Sequence, residues 1–213
     1  MKTDALIAAL AEKVEPTPRR PVVRALAAAC LGGGVVAFIV LLAWLGLRPD
    51  MGHAMGTMSF WMKLGYTLWL SLAGLAVAAR LARPGGRIGR AGPALAAALG
   101  LILLFGVIAV AAAPPERRGL MIMGHSWRLC CWRIAVIAAP VFGAVIVAIR
   151  GLAPTRLVLA GAAAGLLAGA VGATIYGLAC QETSPMFVAV WYTLGVSLCA
   201  AVGALVGPRL LRW

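Results

Sequence analysis

The sequence predicts an all-α, polytopic membrane protein of six transmembrane helices with Gly/Ala-mediated packing. Three observations carry that prediction. Of 213 residues, 63% are hydrophobic and only 12% charged, whereas a soluble domain has about a quarter of its residues charged. The charges cluster between apolar stretches, each close to the ~20 residues that cross a hydrocarbon core. Glycine and alanine are abundant in those stretches, asparagine is absent, and Gln181 is the only glutamine. Isolated strands cannot satisfy their backbone groups in lipid, so the stretches read as helices.

In chain order, residues 1–21, "MKTDALIAALAEKVEPTPRRP", form a polar tail. Thr3 can cap a short helix with Asp4 in its first turn. Leu6, Ile7, Leu10 and Val14 then make one apolar stripe, which Glu15-Pro16 ends. The stripe suits a helix lying on the membrane surface; it equally suits a helix docking into a groove of a cytosolic partner. The tail has no apolar region ahead of a small-residue cleavage site, so no cleavable signal peptide is expected. Residues 22–213 are the six-helix transmembrane domain, with spans at about 22–47, 60–81, 93–113, 131–149, 157–179 and 186–206. The longest internal loop, 114–130, separates the third span from the fourth.

Six spans put both termini on one side. That side collects Lys2, Lys13, Arg19, Arg20, Arg24, Arg80, Arg83, Arg87, Arg90, Arg150, Arg156, Arg209 and Arg212, thirteen of the 19 lysines and arginines. Arg48, Lys63, Arg117, Arg118, Arg128 and Arg133 fall on the other. The positive-inside rule therefore places both termini in the cytoplasm. Trp44, Trp61, Trp127, Trp132 and Trp191 gather near the outer face as an interfacial belt would. The net charge of +13 meets lipid headgroups at helix ends, which argues against direct nucleic-acid binding and makes membrane lipids the partner.

Away from their ends the spans hold no Asp, Glu, Lys, Arg or His. Lys63 and Arg133 lie within about a turn of the outer interface, where they are expected to snorkel. Ion-coupled transport needs buried ionisable groups, so a pump is disfavoured. In the fifth span Gly161, Gly165 and Gly169 repeat at four-residue spacing, continued by Ala173 and Gly177. Such a stripe lets helices approach closely, and tight packing is a better reading than a ligand pocket. Tyr176, Trp191 and Tyr192 also read as packing near the outer headgroups, and no cofactor is expected.

The cysteines divide. Cys30 and Cys199 lie within spans and read as small hydrophobes. Cys130 and Cys131, in "SWRLCCWR", and Cys180, in "LACQETSP", gather at the outer ends of spans four and five. The short inner connection "RGLAPTR" makes those spans antiparallel neighbours, so a Cys130–Cys180 or a Cys131–Cys180 bridge is feasible. An oxidising periplasm would allow it to persist. Arg128 and Arg133 would raise thiol reactivity. His125, Cys130, Cys131 and Cys180 could also serve a thiophilic metal, although the spacing matches no zinc finger or ribbon. A constitutive disulfide, or plain packing, is the alternative. A membrane thiol-redox enzyme would normally show C-x-x-C, which is absent here, so no enzymatic activity is expected.

The strings "MKTDALIAALA", "LGLRPD", "FWMKLGY", "GHSWRLC", "LAPTR", "LAGAAAGLLAGAVGATIYGLAC", "SPMFVAVWYTLG" and "GALVGPRLLRW" together resemble the NrsF family, negative regulators of the sigma-F factor. The resemblance runs the length of the chain. It implies an inner-membrane anti-sigma factor that sequesters an extracytoplasmic-function sigma factor and releases it on a periplasmic oxidative or heavy-metal signal. It also implies that the family's cysteines correspond to Cys130, in H-S-W-x-x-C, and Cys180. Cys131 stands as an extra thiol beside the family position, leaving open which of the pair partners Cys180. Gln181 stands where the family has proline. The tail stripe would then be the sigma-binding segment. A thiol-redox enzyme or a small transporter is the alternative function, and oligomeric state is not readable.

Overall fold

The computed structural model describes residues 20–212 and, upstream of them, Thr3 and Ile7. Six helices among the described residues are long and apolar enough to cross a membrane. Span one is Arg20–Trp44, span two Met58–Leu81 and span three Ala91–Ala112. Span four is Trp127–Arg150, span five Leu157–Tyr176 and span six Pro185–Leu210. The described residues contain no strand.

The span boundaries depart from the sequence reading for local reasons. Span one ends at Trp44 because Gly46 adopts the left-handed conformation, φ 71°, and donates its N–H back to the Leu41 carbonyl at 3.0 Å. The 114–130 segment, expected to be a loop, holds the helix Pro115–Met123. Pro115 stands at its first turn with Glu116 beside it, both favourable at a helix N-terminus. Span four then starts at Trp127, which places Cys130 and Cys131 in its first turn.

Span five is the centre of the bundle, packed against spans one, two, four and six. Its glycine face lies on span six. A Cβ on Gly161 would collide with the Gly203 carbonyl and the Gly207 Cα, and one on Gly165 with the Cys199 carbonyl. A Cβ on Gly169 would stand 3.1 Å from the Val196 Cα. Backbone thus meets backbone along the seam, the closest approach two helices allow and a source of dispersion contacts that lipid cannot match. On span five's other faces, Gly172 meets Ala138 of span four and Leu167 meets Gly74 of span two. Span one crosses span four where Gly33 faces Pro140 and Val141.

Span three is peripheral. It packs on span two and on the start of span six, while Leu101, Leu104, Phe105, Val107 and Ile108 remain exposed, as lipid-facing side chains do. In the tail, Thr3 and Ile7 are helical and Ile7 is exposed. Leu6, Leu10 and Val14 of the expected stripe lie outside the described residues.

Candidate functional site

The segment between spans five and six, residues 177–184, meets three other parts of the molecule at the end opposite the arginine-rich hairpins. Span five ends in tight turns, with the Gly177 and Cys180 N–H groups donating to the Ala173 and Tyr176 carbonyls, both at 3.0 Å. Span six begins where the Ser184 side chain accepts the Phe187 N–H. Within this short stretch, Leu178, Cys180 and Glu182 make the long-range bonds.

Lys63 of span two donates its ammonium to the Cys180 carbonyl at 2.7 Å and to the Glu182 carbonyl at 3.0 Å. It is 2% exposed, so the expected snorkelling does not occur. Its carbon stem does not lead out to water; the head is desolvated and aimed at two backbone oxygens, which supply the hydrogen bonds a buried cation requires. The Glu182 carboxylate reaches the other way. One oxygen accepts from the His125 N–H at 2.7 Å, the Ser126 N–H at 3.1 Å and the Ser126 hydroxyl at 3.2 Å. These groups immediately precede span four, where a carboxylate is favoured by the helix dipole. A third tie runs from the Arg48 N–H to the Leu178 carbonyl at 3.3 Å. The Arg48 guanidinium forms a bidentate pair with Asp50, both contacts at 2.8 Å. That hydrogen bond holds the Asp50 carboxyl below the usual carboxylate range and raises Arg48 above its ordinary value.

Two thiols lie under this bracket. Cys130 is fully buried and Cys180 is 5% exposed. Cys130 lies within electrostatic range of Cys180, Glu182 and Lys63. Tyr176 and Tyr192 stack beside them with ring centroids 5.8 Å apart. The Tyr192 hydroxyl is buried next to Cys180 without a well-formed hydrogen bond. It stands at the end of a single π-helical turn, Val188–Tyr192, a local irregularity frequent at functional sites. A cavity of about 490 Å³, lined by His125, Arg133, Tyr176, Cys180, Gln181 and Glu182 among others, opens onto the Cys180 side of the cluster.

Cys131 faces elsewhere. Its sulfur lies 3.5 Å from the Trp191 carbonyl of span six, and Trp191 stacks on Trp127 at 5.1 Å while donating its indole N–H to the Ile122 carbonyl at 3.0 Å. Cys199 and Cys30 are half-buried, Cys199 against the span-five glycines. All five cysteines are unbonded thiols here. The expected thiophilic-metal set of His125, Cys130 and Cys180 is not assembled. Among the described residues no three His, Cys, Asp or Glu side chains group as a metal site, and His125 meets the bracket through its backbone N–H.

Lys63 and Glu182 are the site residues that sequence reasoning missed. Glu182, two residues from a cysteine in a chain with only six acidic residues, was the available signal. Lys63 gave none, because its partners are backbone oxygens.

A family model described as negative regulator of sigma F matches residues 10–213. The chain belongs to that family. It is 43% identical to the anti-sigma-F factor NrsF of Caulobacter vibrioides (strain NA1000 / CB15N), across the full length of both chains. It is 40% identical, again end to end, to the probable anti-sigma-F factor NrsF of Azospira oryzae (strain ATCC BAA-33 / DSM 13638 / PS). No solved structure matches the chain. The family's role is regulatory, and the bracketed thiol cluster belongs to a membrane-embedded regulator.

Proposed function

We propose that this chain is an inner-membrane anti-sigma factor with both termini in the cytoplasm. It holds an extracytoplasmic-function sigma factor through the 1–21 tail and releases it when the bonding of Cys130 and Cys180 changes at the periplasmic end. Family membership supports sigma-factor regulation, and the excess of arginine at one end supports the orientation. The observation that carries the switch is the burial of Cys130 and Cys180 in one cluster beneath the Lys63–Glu182 bracket.

The chemistry is a two-electron oxidation. A peroxide entering by the cavity takes the Cys180 sulfur to a sulfenic acid and leaves as water. The Cys130 thiol then attacks that sulfur, expelling a second water and closing the disulfide. A thiophilic cation bridging the same two sulfurs would act on the same joint. Either event pulls residue 180 toward the first turn of span four. Because Lys63 holds the 180 and 182 carbonyls and Glu182 holds the start of span four, the displacement reaches spans two and four together. The span-five seam has no slack to absorb it, so it passes inward as a shift of whole helices. The tail on span one then loses its hold on the sigma factor.

Serine variants test this reading in cells carrying a sigma-dependent reporter. Cys130→Ser and Cys180→Ser are expected to insert, repress and fail to respond to oxidant, whereas Cys30→Ser, Cys131→Ser and Cys199→Ser keep most or all of the response. Deleting residues 2–15 should free the reporter without preventing insertion. Normal induction in both the 130 and 180 variants would refute the thiol switch. Full repression by an inserted tail deletion would refute the tail's role.

A further inference from the structure

Span six enters the molecule through an irregular stretch. After the Ser184 cap, Val188–Tyr192 forms a single π-helical turn, which holds one residue more than an α-helical turn. Each residue advances the side-chain direction by about 100°, so the added residue resets the phase of the turn. Trp191 faces Trp127 and the Ile122 carbonyl, while Tyr192 faces the other way, toward Tyr176.

Tyr192 is fully buried, its ring 5.8 Å from that of Tyr176 and 6.5 Å from that of Phe187. Among the described residues, its hydroxyl is the one buried side-chain oxygen or nitrogen that lacks a hydrogen-bond partner. Tyr66 shows the contrast: its hydroxyl pairs with the Thr193 hydroxyl at 2.6 Å, one residue further along span six. What the Tyr192 hydroxyl meets is the side chain of Cys180, without a well-formed bond. A thiol sulfur is a weak acceptor, so most of the cost of burying the hydroxyl stays unrelieved. An anionic sulfur in the same place would accept a charge-assisted bond, roughly twice as strong as a neutral one. The Lys63 ammonium nearby is directed at the Cys180 and Glu182 carbonyls. That leaves the Tyr192 O–H as the uncommitted donor beside the sulfur. Cys180 also lines the cavity of about 490 Å³, whereas Cys130 is fully buried.

We propose, resting on the thiol-switch reading above, that the Tyr192 hydroxyl is the donor that supports the Cys180 sulfur as it turns anionic and so makes Cys180 the attacking thiol. The Cys180 S–H gives its proton to water in the cavity. The sulfur, held by the Tyr192 O–H, then attacks one oxygen of hydrogen peroxide. The O–O bond breaks, and the departing hydroxide takes up a proton and leaves as water. Cys180 is oxidised to the sulfenic acid and the peroxide is reduced. Tyr192 keeps its own proton throughout. A donor that gains its acceptor only as charge develops favours the reacting state over the resting one.

Alkylation by iodoacetamide reads the reactivity of the Cys180 sulfur without requiring the switch to work. The full-length protein in mild detergent is alkylated over a time course, and the Cys180 peptide is followed by mass spectrometry. Tyr192→Phe keeps the ring and its stacking, and should slow Cys180 alkylation about tenfold, the fold-change of one hydrogen bond to a charged group. Oxidation of Cys180 by hydrogen peroxide should slow by a similar factor. The thermal midpoint of this variant should stay the same or rise, because an unpaired buried hydroxyl has been removed. Phe187→Leu, which loosens the same packing and leaves the hydroxyl, should not slow Cys180 alkylation. Alkylation of Cys180 in Tyr192→Phe at the wild-type rate or faster would overturn the proposal. A lowered midpoint in that variant would also overturn it, by making the hydroxyl structural. Slower alkylation in a protein whose Cys130 and Cys180 never join under peroxide would uphold the donor role of Tyr192 and refute the switch instead.

Discussion

Between spans five and six, Gly161, Gly165, Gly203 and Gly207 press backbone on backbone, with no side chain between them. At residues 177–184, a few residues beyond the end of the same span five, the chain is held by the Lys63 ammonium, the Glu182 carboxylate and the Arg48 N–H. The seam depends on shape, which has one solution and resists sliding. The 177–184 junction depends on directional bonds to carbonyls and N–H groups, which can be exchanged for others at modest cost. The proposed switch, which would pass a bond change from one end to the other, calls for both: a joint that can be remade and a rod that does not bend.

The seam side of that comparison should break first. Gly165→Val places carbon where the Cys199 carbonyl already sits, so at least ~3 kcal/mol of stability should be lost. Gly143, where a Cβ would meet nothing within 4 Å, should accept alanine with no loss or a gain of up to about 1 kcal/mol. Thermal unfolding in detergent compares the two; equal losses would mean the seam is not the rigid element.

On the junction side, Lys63→Met keeps the stem and removes two hydrogen bonds from a charged donor, each contributing about 1.5–3 kcal/mol in buried settings. A loss of about 2–4 kcal/mol is expected once the apolar replacement is counted, together with faster alkylation of Cys180 as its loop loosens. Unchanged alkylation would remove Lys63 from the bracket.

The smallest effect belongs to the Arg48–Asp50 pair, in which the Asp50 side chain is 45% exposed. Because the Asp50 carboxyl is held low by Arg48, its contribution is complete above the ordinary carboxylate pKa of about 4 and fades as pH falls through the lowered value. Asp50→Asn should therefore lower the unfolding midpoint by a small, constant amount from about pH 5 to 8 and converge on the wild type as pH falls through the lowered Asp50 value. A pH-7 midpoint shift as large as that of Lys63→Met would contradict this ranking.

The architecture was legible in the sequence because bilayer thickness dictates the length of each apolar run, and arginine placement marks their ends. The candidate thiols were legible by position, since Cys130, Cys131 and Cys180 all stand at one rim. Which of the adjacent pair faces Cys180 was not. Successive helical residues point about 100° apart, and only the packing of span four against spans five and six sets the phase that turns Cys130 inward and Cys131 toward Trp191. Lys63 was misread for a related reason: its acceptors are carbonyls 117 and 119 residues away, and a carbonyl leaves no mark on residue type. The helix Pro115–Met123 lay hidden in an apparent loop because too few of its residues are apolar to register as a span.

The central claim is that Cys130 and Cys180 form the joint, and differential thiol trapping of the membrane-embedded protein tests it most directly. Cells are exposed to peroxide, free thiols are blocked, and peptides are mapped by mass spectrometry while a sigma-dependent reporter is read in parallel. The account predicts a Cys130–Cys180 disulfide that rises with the reporter and disappears with it on recovery, with Cys131 still free. A reporter that switches on while both thiols remain reduced, or a bond joining Cys131 to Cys180 instead, would contradict it.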